Sequence, residues 1–191
     1  MKKTLLLSVL ASTMIMAGGD IAPVEPMVET PSADETPFSM PMGISLLGGV
    51  TRDTETHDEW DPVYGAEFSF PCLISDDIRQ QIQFTYTENK DDGIPDNKMM
   101  QLSVNPHYIF NRGDTVEFGA GPHLGLARVE LADEDDTIFT YGLGVSLKTD
   151  ISGDFFVGVD ARYEWTTDAE FNGIEGNFNN AKVFAKIGYQ F

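Results

Sequence analysis

The 191-residue chain carries 31 acidic against 12 basic side chains, a formal charge of −19, and a single cysteine. That sign of field excludes nucleic acid as a partner, and the lone thiol, Cys72, leaves neither an internal disulfide nor a cysteine metal cluster. Once an N-terminal signal and a tail are set aside, about 150 residues remain, enough for one domain and not two.

Lys2 and Lys3 form a positive n-region, Leu5 to Met16 an apolar stretch, and Ile15-Met16-Ala17 a small-residue cleavage site, which predicts a signal peptide over residues 1–17. Those residues hold two lysines and no acid, so their removal takes the charge from −19 to −21. The apolar stretch is too short to span a bilayer, and no later window of about 20 apolar residues exists, so a membrane would have to be crossed by strands. No cysteine near the cleavage site offers a lipoprotein anchor. Residues 18–40 are rich in Pro and acid, without a period, and read as a disordered leader ahead of a barrel domain over 41–191.

From Gly43 onward the chain alternates apolar and polar residues with period two. Eight strands follow, over 43–52, 62–72, 79–88, 98–110, 115–128, 138–151, 155–165 and 181–191. The last shows the pattern plainly: Ala181, Val183, Ala185, Ile187, Tyr189 and Phe191 point one way, Lys182, Lys186 and Gln190 the other. Strands of ten or so residues, rising ~3.3 Å each and tilted ~45°, span the ~25 Å apolar band of an outer membrane.

The connections fall into two classes. After the second, fourth and sixth strands come short turns, 73–78, Asn111-Arg112-Gly113-Asp114 and Ser152-Gly153-Asp154, with the Asn, Asp and Gly that reversals require. After the first, third, fifth and seventh come longer segments, 53–61, 89–97, 129–137 and 166–180. Short turns at one rim and long loops at the other are the asymmetry of outer-membrane barrels.

Alternation alone cannot separate a barrel apolar outside from a lipocalin-like one apolar inside. Aromatic placement favours the first. Tyr64, Tyr86, Tyr141, Tyr163 and Trp165 fall near the long-loop ends of the apolar face, and Phe70, Phe110, Phe155, Tyr189 and Phe191 near the short-turn ends, as two interfacial girdles require. The polar face is rich in glycine, which suits a narrow interior. The fold class expected is all-β, an eight-stranded antiparallel up-and-down transmembrane barrel.

The signal peptide, the acidic leader, eight meandering strands and the ending Ile187-Gly188-Tyr189-Gln190-Phe191 resemble the small outer-membrane β-barrel families of Gram-negative bacteria, of the OmpA-barrel, OmpX and porin-family type. The resemblance covers residues 43–191. It implies an outer-membrane location, a monomer without cofactor, contact with outer-membrane lipid and lipopolysaccharide, and recognition of Tyr189 and Phe191 by the barrel-assembly machinery.

Inside such a barrel, Glu67, Glu117, Asp160 and Glu164 face Lys148, Arg162, Lys182 and Lys186, a set expected to pair as a lumenal ion network. The network is either a static polar core or the gate of a narrow pore. Two roles follow: a structural or surface-interaction barrel presenting acidic loops, or a porin-like channel for small solutes or ions. A third, a lipid A-modifying enzyme, is disfavoured. His107 and His123 lie on strands without the His-x-Ser arrangement of the lipid A deacylases, and His57 lies in a loop. Asp91, Asp92 and Asp96 resemble a fragment of a calcium loop, but Lys90 and Met99 stand where ligands are needed, so a solvated loop is the preferred reading. With Asp53, Glu55, Asp58, Glu59 and the run 133–136, they give a negative rim able to share divalent cations with lipopolysaccharide phosphates.

Overall fold

The computed structural model describes residues 40–54, 60–89, 97–131, 134–171 and 174–191. The export signal, nearly all of the leader, His57 and the 91–96 calcium candidate lie outside these. The strands are β1 (Gly43–Asp53), β2 (Asp61–Pro71), β3 (Ile78–Asn89), β4 (Asn97–Ile109), β5 (Val116–Leu131), β6 (Glu134–Ser152), β7 (Phe155–Thr166), β8 (Ala169–Phe171), β9 (Ile174–Gly176) and β10 (Asn180–Gln190). Eight of them close into one antiparallel barrel, each paired with its sequence neighbour, β7 passing to β10, and β10 closing on β1 through an unbroken register from Gly43↔Gln190 to Asp53↔Asn180.

Alternation decides which face meets which medium. Leu46, Val159 and Ile187 are 69%, 47% and 56% exposed, and with Phe84, Leu102, Leu126, Leu143 and Val145 they clothe the outside of the barrel. An apolar exterior of this extent is incompatible with water. Its neighbours in sequence, Glu67, Gln81, Gln83, Asp160, Lys182 and Lys186, are buried in the lumen. The lipocalin-like arrangement therefore does not describe this chain.

Aromatic rings gather at both ends of the exterior. Phe139, Tyr141, Trp165 and Tyr163 form a chain of contacts at 5.0–6.2 Å near the long-loop rim. Phe68 with Phe70, Tyr108 with Phe110, Phe110 with Phe118, and Phe155 with Tyr189 do so at the other, at 5.2–5.5 Å. Ring dipoles and hydroxyls favour such headgroup depths. The short turns hold Gly113 at φ 80° and Gly153 at φ 56°, where a Cβ would be strained.

Three features depart from the sequence expectation. First, β5 and β6 are 16 and 19 residues long and pair through Leu131↔Glu134, so most of the expected 129–137 loop is ladder. Second, the 166–180 segment carries the β8–β9 hairpin, which docks on β6: Thr167 N donates to Phe139 O at 2.9 Å, and Ala169 is buried among Ala127, Val129 and Ile138. Third, pairing of β4 with β5 lapses between Val104↔Leu124 and Tyr108↔Ala120. The same register sets Pro106 opposite Pro122, and neither proline has an N–H to give the ladder.

Candidate functional site

All eight residues expected in the lumenal network face inward, and the structure sorts them into three clusters. At the short-turn end, Arg79 Nη2 donates to Glu117 Oε2 at 2.7 Å, while Lys148 Nζ donates to Gln190 Oε1 at 2.8 Å and lies 2.9 Å from Asp150 Oδ1. Lys148 also stands 3.8 Å from Glu117 and 5.1 Å from the Phe156 ring centre. In the middle, Lys186 Nζ donates to Asp160 Oδ2 at 3.0 Å and to Glu67 Oε1 at 3.3 Å, and Gln83 Nε2 donates to Glu67 Oε2 at 2.6 Å.

Nearer the long loops, Glu164 Oε2 accepts from Lys182 Nζ at 2.8 Å and from Gln101 Nε2 at 3.1 Å, while its Oε1 lies 3.0 Å from Arg162 Nε. Gln101 Nε2 also donates to Thr140 Oγ1 at 2.8 Å, and Lys182 donates to Gln101 Oε1. The Arg162 guanidinium stands 4.6 Å from the ring centre of Phe184, a cation–π contact inside the barrel. The middle cluster sets one lysine against two acids, and the upper sets one acid against Lys182 and Arg162. Each offsets the other's surplus, so these two clusters together hold three charges of each sign, the condition under which ions persist away from water.

The two strand histidines join this lattice. His123 Nε2 lies 3.3 Å from Glu164 Oε1, and His123 Nδ1 is hydrogen-bonded to Asn105 Oδ1 at 2.5 Å and lies 3.3 Å from Arg162 Nη1. His107 Nδ1 is hydrogen-bonded to Ser146 Oγ at 2.8 Å. Both rings are buried in the lumen. Two small cavities open in the lumen, one among these side chains and one beyond them. One of about 10 Å³ lies between Gln81, Asn105, His107 and Arg162, and one of about 40 Å³ lies at the mouth between Thr51, Asp61, Met99 and Asn180.

The lumen is not wholly polar. Leu47, Val63 and Phe184 form a buried apolar cluster on one wall. Ala127, Val129, Ile138 and Ala169, with Met99, Leu131 and Phe178 against them, form another at the long-loop end. Arg79, Gln101 and Thr140 also belong to the network without having been singled out in the sequence. Their inward phase was readable, since Gln101 sits two residues from Ser103 on β4, but which neutral amides reach an ion depends on barrel shear. Tyr189 and Phe191 face outward at the short-turn rim. Tyr189 Oη donates to Asp154 Oδ2 at 3.0 Å, and Phe191 exchanges backbone bonds with Met42 at 2.8 and 3.2 Å. Among the described residues no three His, Cys, Asp or Glu side chains converge on a metal-sized space.

No family model matches the sequence, and no curated protein matches it. Solved structures match by fold. Neisserial surface protein A aligns at a TM-score of 0.59 and 15% identity, over 78% of this chain and 96% of that one. The outer membrane enzyme PagL aligns at 0.50 and 16% identity, over 78% and 99%. Ail, the attachment invasion locus protein of Yersinia pestis, aligns at 0.46 and 14% identity, over 79% and 97%. A closed eight-stranded antiparallel ring with an apolar, aromatic-girdled exterior and an ion-paired interior gives this chain the fold of the small outer-membrane β-barrels.

Proposed function

We propose that this protein is a sealed structural and surface-interaction barrel of the outer membrane, which holds its place in lipid and presents acidic loops outward. The observation that carries the reading is the lumen. Glu164, Lys182, Asp160, Lys186 and Glu67 bridge strands across the interior, the cavity beside Asp160 and Arg162 holds about 10 Å³, and the one at the mouth above holds about 40 Å³. Spaces of that size take single waters and no solute stream. In planar bilayers the folded protein should give only rare, small openings; a steady open conductance would overturn the reading.

A narrow channel is the second reading, favoured by one contact. Lys186 is shared between Asp160 and Glu67, so a shift of its ammonium toward either acid would rearrange the middle cluster while the Gln83 amide still donates to the acid it leaves. If that shift gates conduction, Glu67→Gln should change the open frequency in the same bilayer recording.

An enzymatic role is not part of the proposal. PagL is an outer-membrane enzyme, and this chain has a histidine–serine pair, but His107 and Ser146 are 4% and 6% exposed inside the lumen, whereas an acyl substrate lies against the outer wall. As partners we assign outer-membrane lipid and lipopolysaccharide, the latter through divalent cations shared with the acidic rim. We assign recognition by the assembly machinery to Tyr189 and Phe191 after export directed by residues 1–17, and the barrel acts as a monomer.

A further inference from the structure

At the long-loop mouth, above Leu47, Val63 and Phe184, the inward phase of four adjacent strands brings oxygen atoms together. Thr51 and Asp53 come from β1, Asp61 from β2, Thr87 from β3 and Asn180 from β10, and with Met99 and Phe178 they line the cavity of about 40 Å³. The register fixes this meeting: Asp53 is opposite Asn180 and Thr51 opposite Asp61. Every polar side chain in the set offers oxygen, and two are carboxylates.

One further observation points to a ligand. Asn180 is 4% exposed, its Nδ2 donates to Phe178 O at 2.9 Å, and its Oδ1 is buried with no hydrogen-bond partner. A buried amide oxygen without a partner keeps the full cost of its lost hydration unless something fills the space before it. The donated Nδ2 bond fixes which end of the amide is the carbonyl, so the free end is an acceptor. An unpartnered acceptor on a residue that lines a cavity rimmed by carboxylates points to a cation. Asp53 and Asp61 keep contacts with neighbours, but a carboxylate has about four lone-pair sites, so such contacts leave others for a metal.

We propose that this mouth cavity binds a hard divalent cation, calcium foremost, through Asp53, Asp61 and the Asn180 carbonyl, with the Thr51 and Thr87 hydroxyls and water completing an oxygen shell. Calcium takes six to eight oxygens in adaptable geometry and mixes carboxylate with amide oxygen, whereas magnesium demands a near-ideal octahedron. Two carboxylates place the affinity in the weak extracellular range, Kd about 10⁻⁴–10⁻³ M. A bound ion would tie β1, β2, β3 and β10 at the entrance to the lumen. The site's ligands are other residues than Asp91, Asp92 and Asp96, the calcium candidate of the sequence, and it rests on no assumption about conduction.

Terbium titration of the full chain, folded in detergent micelles, tests this. Trp60 adjoins Asp61 in sequence and serves as the sensitising ring. Wild type should show saturable terbium luminescence that calcium displaces. D53N/D61N, checked as folded by its gel mobility without boiling, should bind at least tenfold more weakly. N180D, which adds a third carboxylate, should bind several-fold more tightly, an outcome that mere damage to the mouth would not give. D91N/D92N/D96N should retain the signal. Wild-type binding by D53N/D61N, unchanged or weaker binding by folded N180D, loss of signal in the loop variant, or no saturable signal at all would each overturn the proposal.

Discussion

Glu164→Gln is the sharpest probe of whether water reaches the lumen. Glu164 is 0% exposed and binds Lys182 at 2.8 Å and Arg162 at 3.0 Å, while Lys182 is itself 2% exposed. Glutamine keeps the volume and one acceptor, so no cavity forms and the change isolates the charge. At an effective dielectric of about 20, one opposed pair at 4 Å is worth about 4 kcal/mol, and orphaning a partner of a buried pair costs about 3–5 kcal/mol. We expect E164Q to lose about that much stability in urea unfolding from phospholipid vesicles, followed by tryptophan fluorescence. E164Q/K182M removes one charge of each sign and leaves Arg162 and Lys186 against Asp160 and Glu67, so it should recover most of the loss. A single variant within about 1 kcal/mol of wild type would refute the reasoning, because it would mean that solvent already screens these ions.

Other expectations follow from the wall and the turns. Gly121→Ala would put a methyl carbon 1.8 Å from the Pro106 carbonyl oxygen, so folding yield should fall, with an overpacking cost of about 1–3 kcal/mol or more; a wild-type yield would mean that β4 and β5 stand further apart there. Val145→Arg, on the mid-wall exterior, should cost about 2–4 kcal/mol in vesicles, whereas Arg at Thr137, above the apolar band, should be near neutral; equal costs would misplace the bilayer. Cys72 lies in the short-turn rim, where a hydrogen bond from the Ile74 backbone draws its thiol below the ordinary value. Thiolate therefore persists to lower pH than in an ordinary cysteine. An impermeant maleimide should label Cys72 only after the outer membrane of whole cells is opened, and labelling should fade as pH drops through that lowered value; labelling of intact cells would reverse the orientation.

The barrel wall was legible because hydrocarbon imposes one rule on every residue that meets it. From Ile44 to Ile187, outward apolar positions could be followed at period two with no knowledge of pairing. The rule fails where the bilayer ends. On β5 and β6 the faces exchange character: Ala127, Val129 and Ile138 turn inward and are buried, while Arg128 and Asp135 form an external ion pair at 3.2 Å. A reading that followed outward apolarity therefore stopped at residue 128, resumed at 138 and took the rest for loop. The inversion itself marks the membrane boundary and was present in the sequence. Membership of the lumen was likewise readable from phase. Partnership was not, because the bonds of Lys186 to Glu67, and of Lys182 to Gln101, span 119 and 81 residues and depend on how the closed sheet is staggered.

The seam between β1 and β10 joins strands from opposite ends of the barrel sequence, eleven pairs long with no irregularity. Every other pairing in the ring except β7–β10 joins strands that adjoin in sequence. Synthesis therefore supplies the clasp of the bracelet last. Until β10 arrives, β1 and β7 are bare margins whose free amides and carbonyls would accept any passing strand. The protein must be shepherded as an open ribbon and can snap shut only as a whole, so a lesion in β10 should cost the cell the entire molecule rather than one eighth of it.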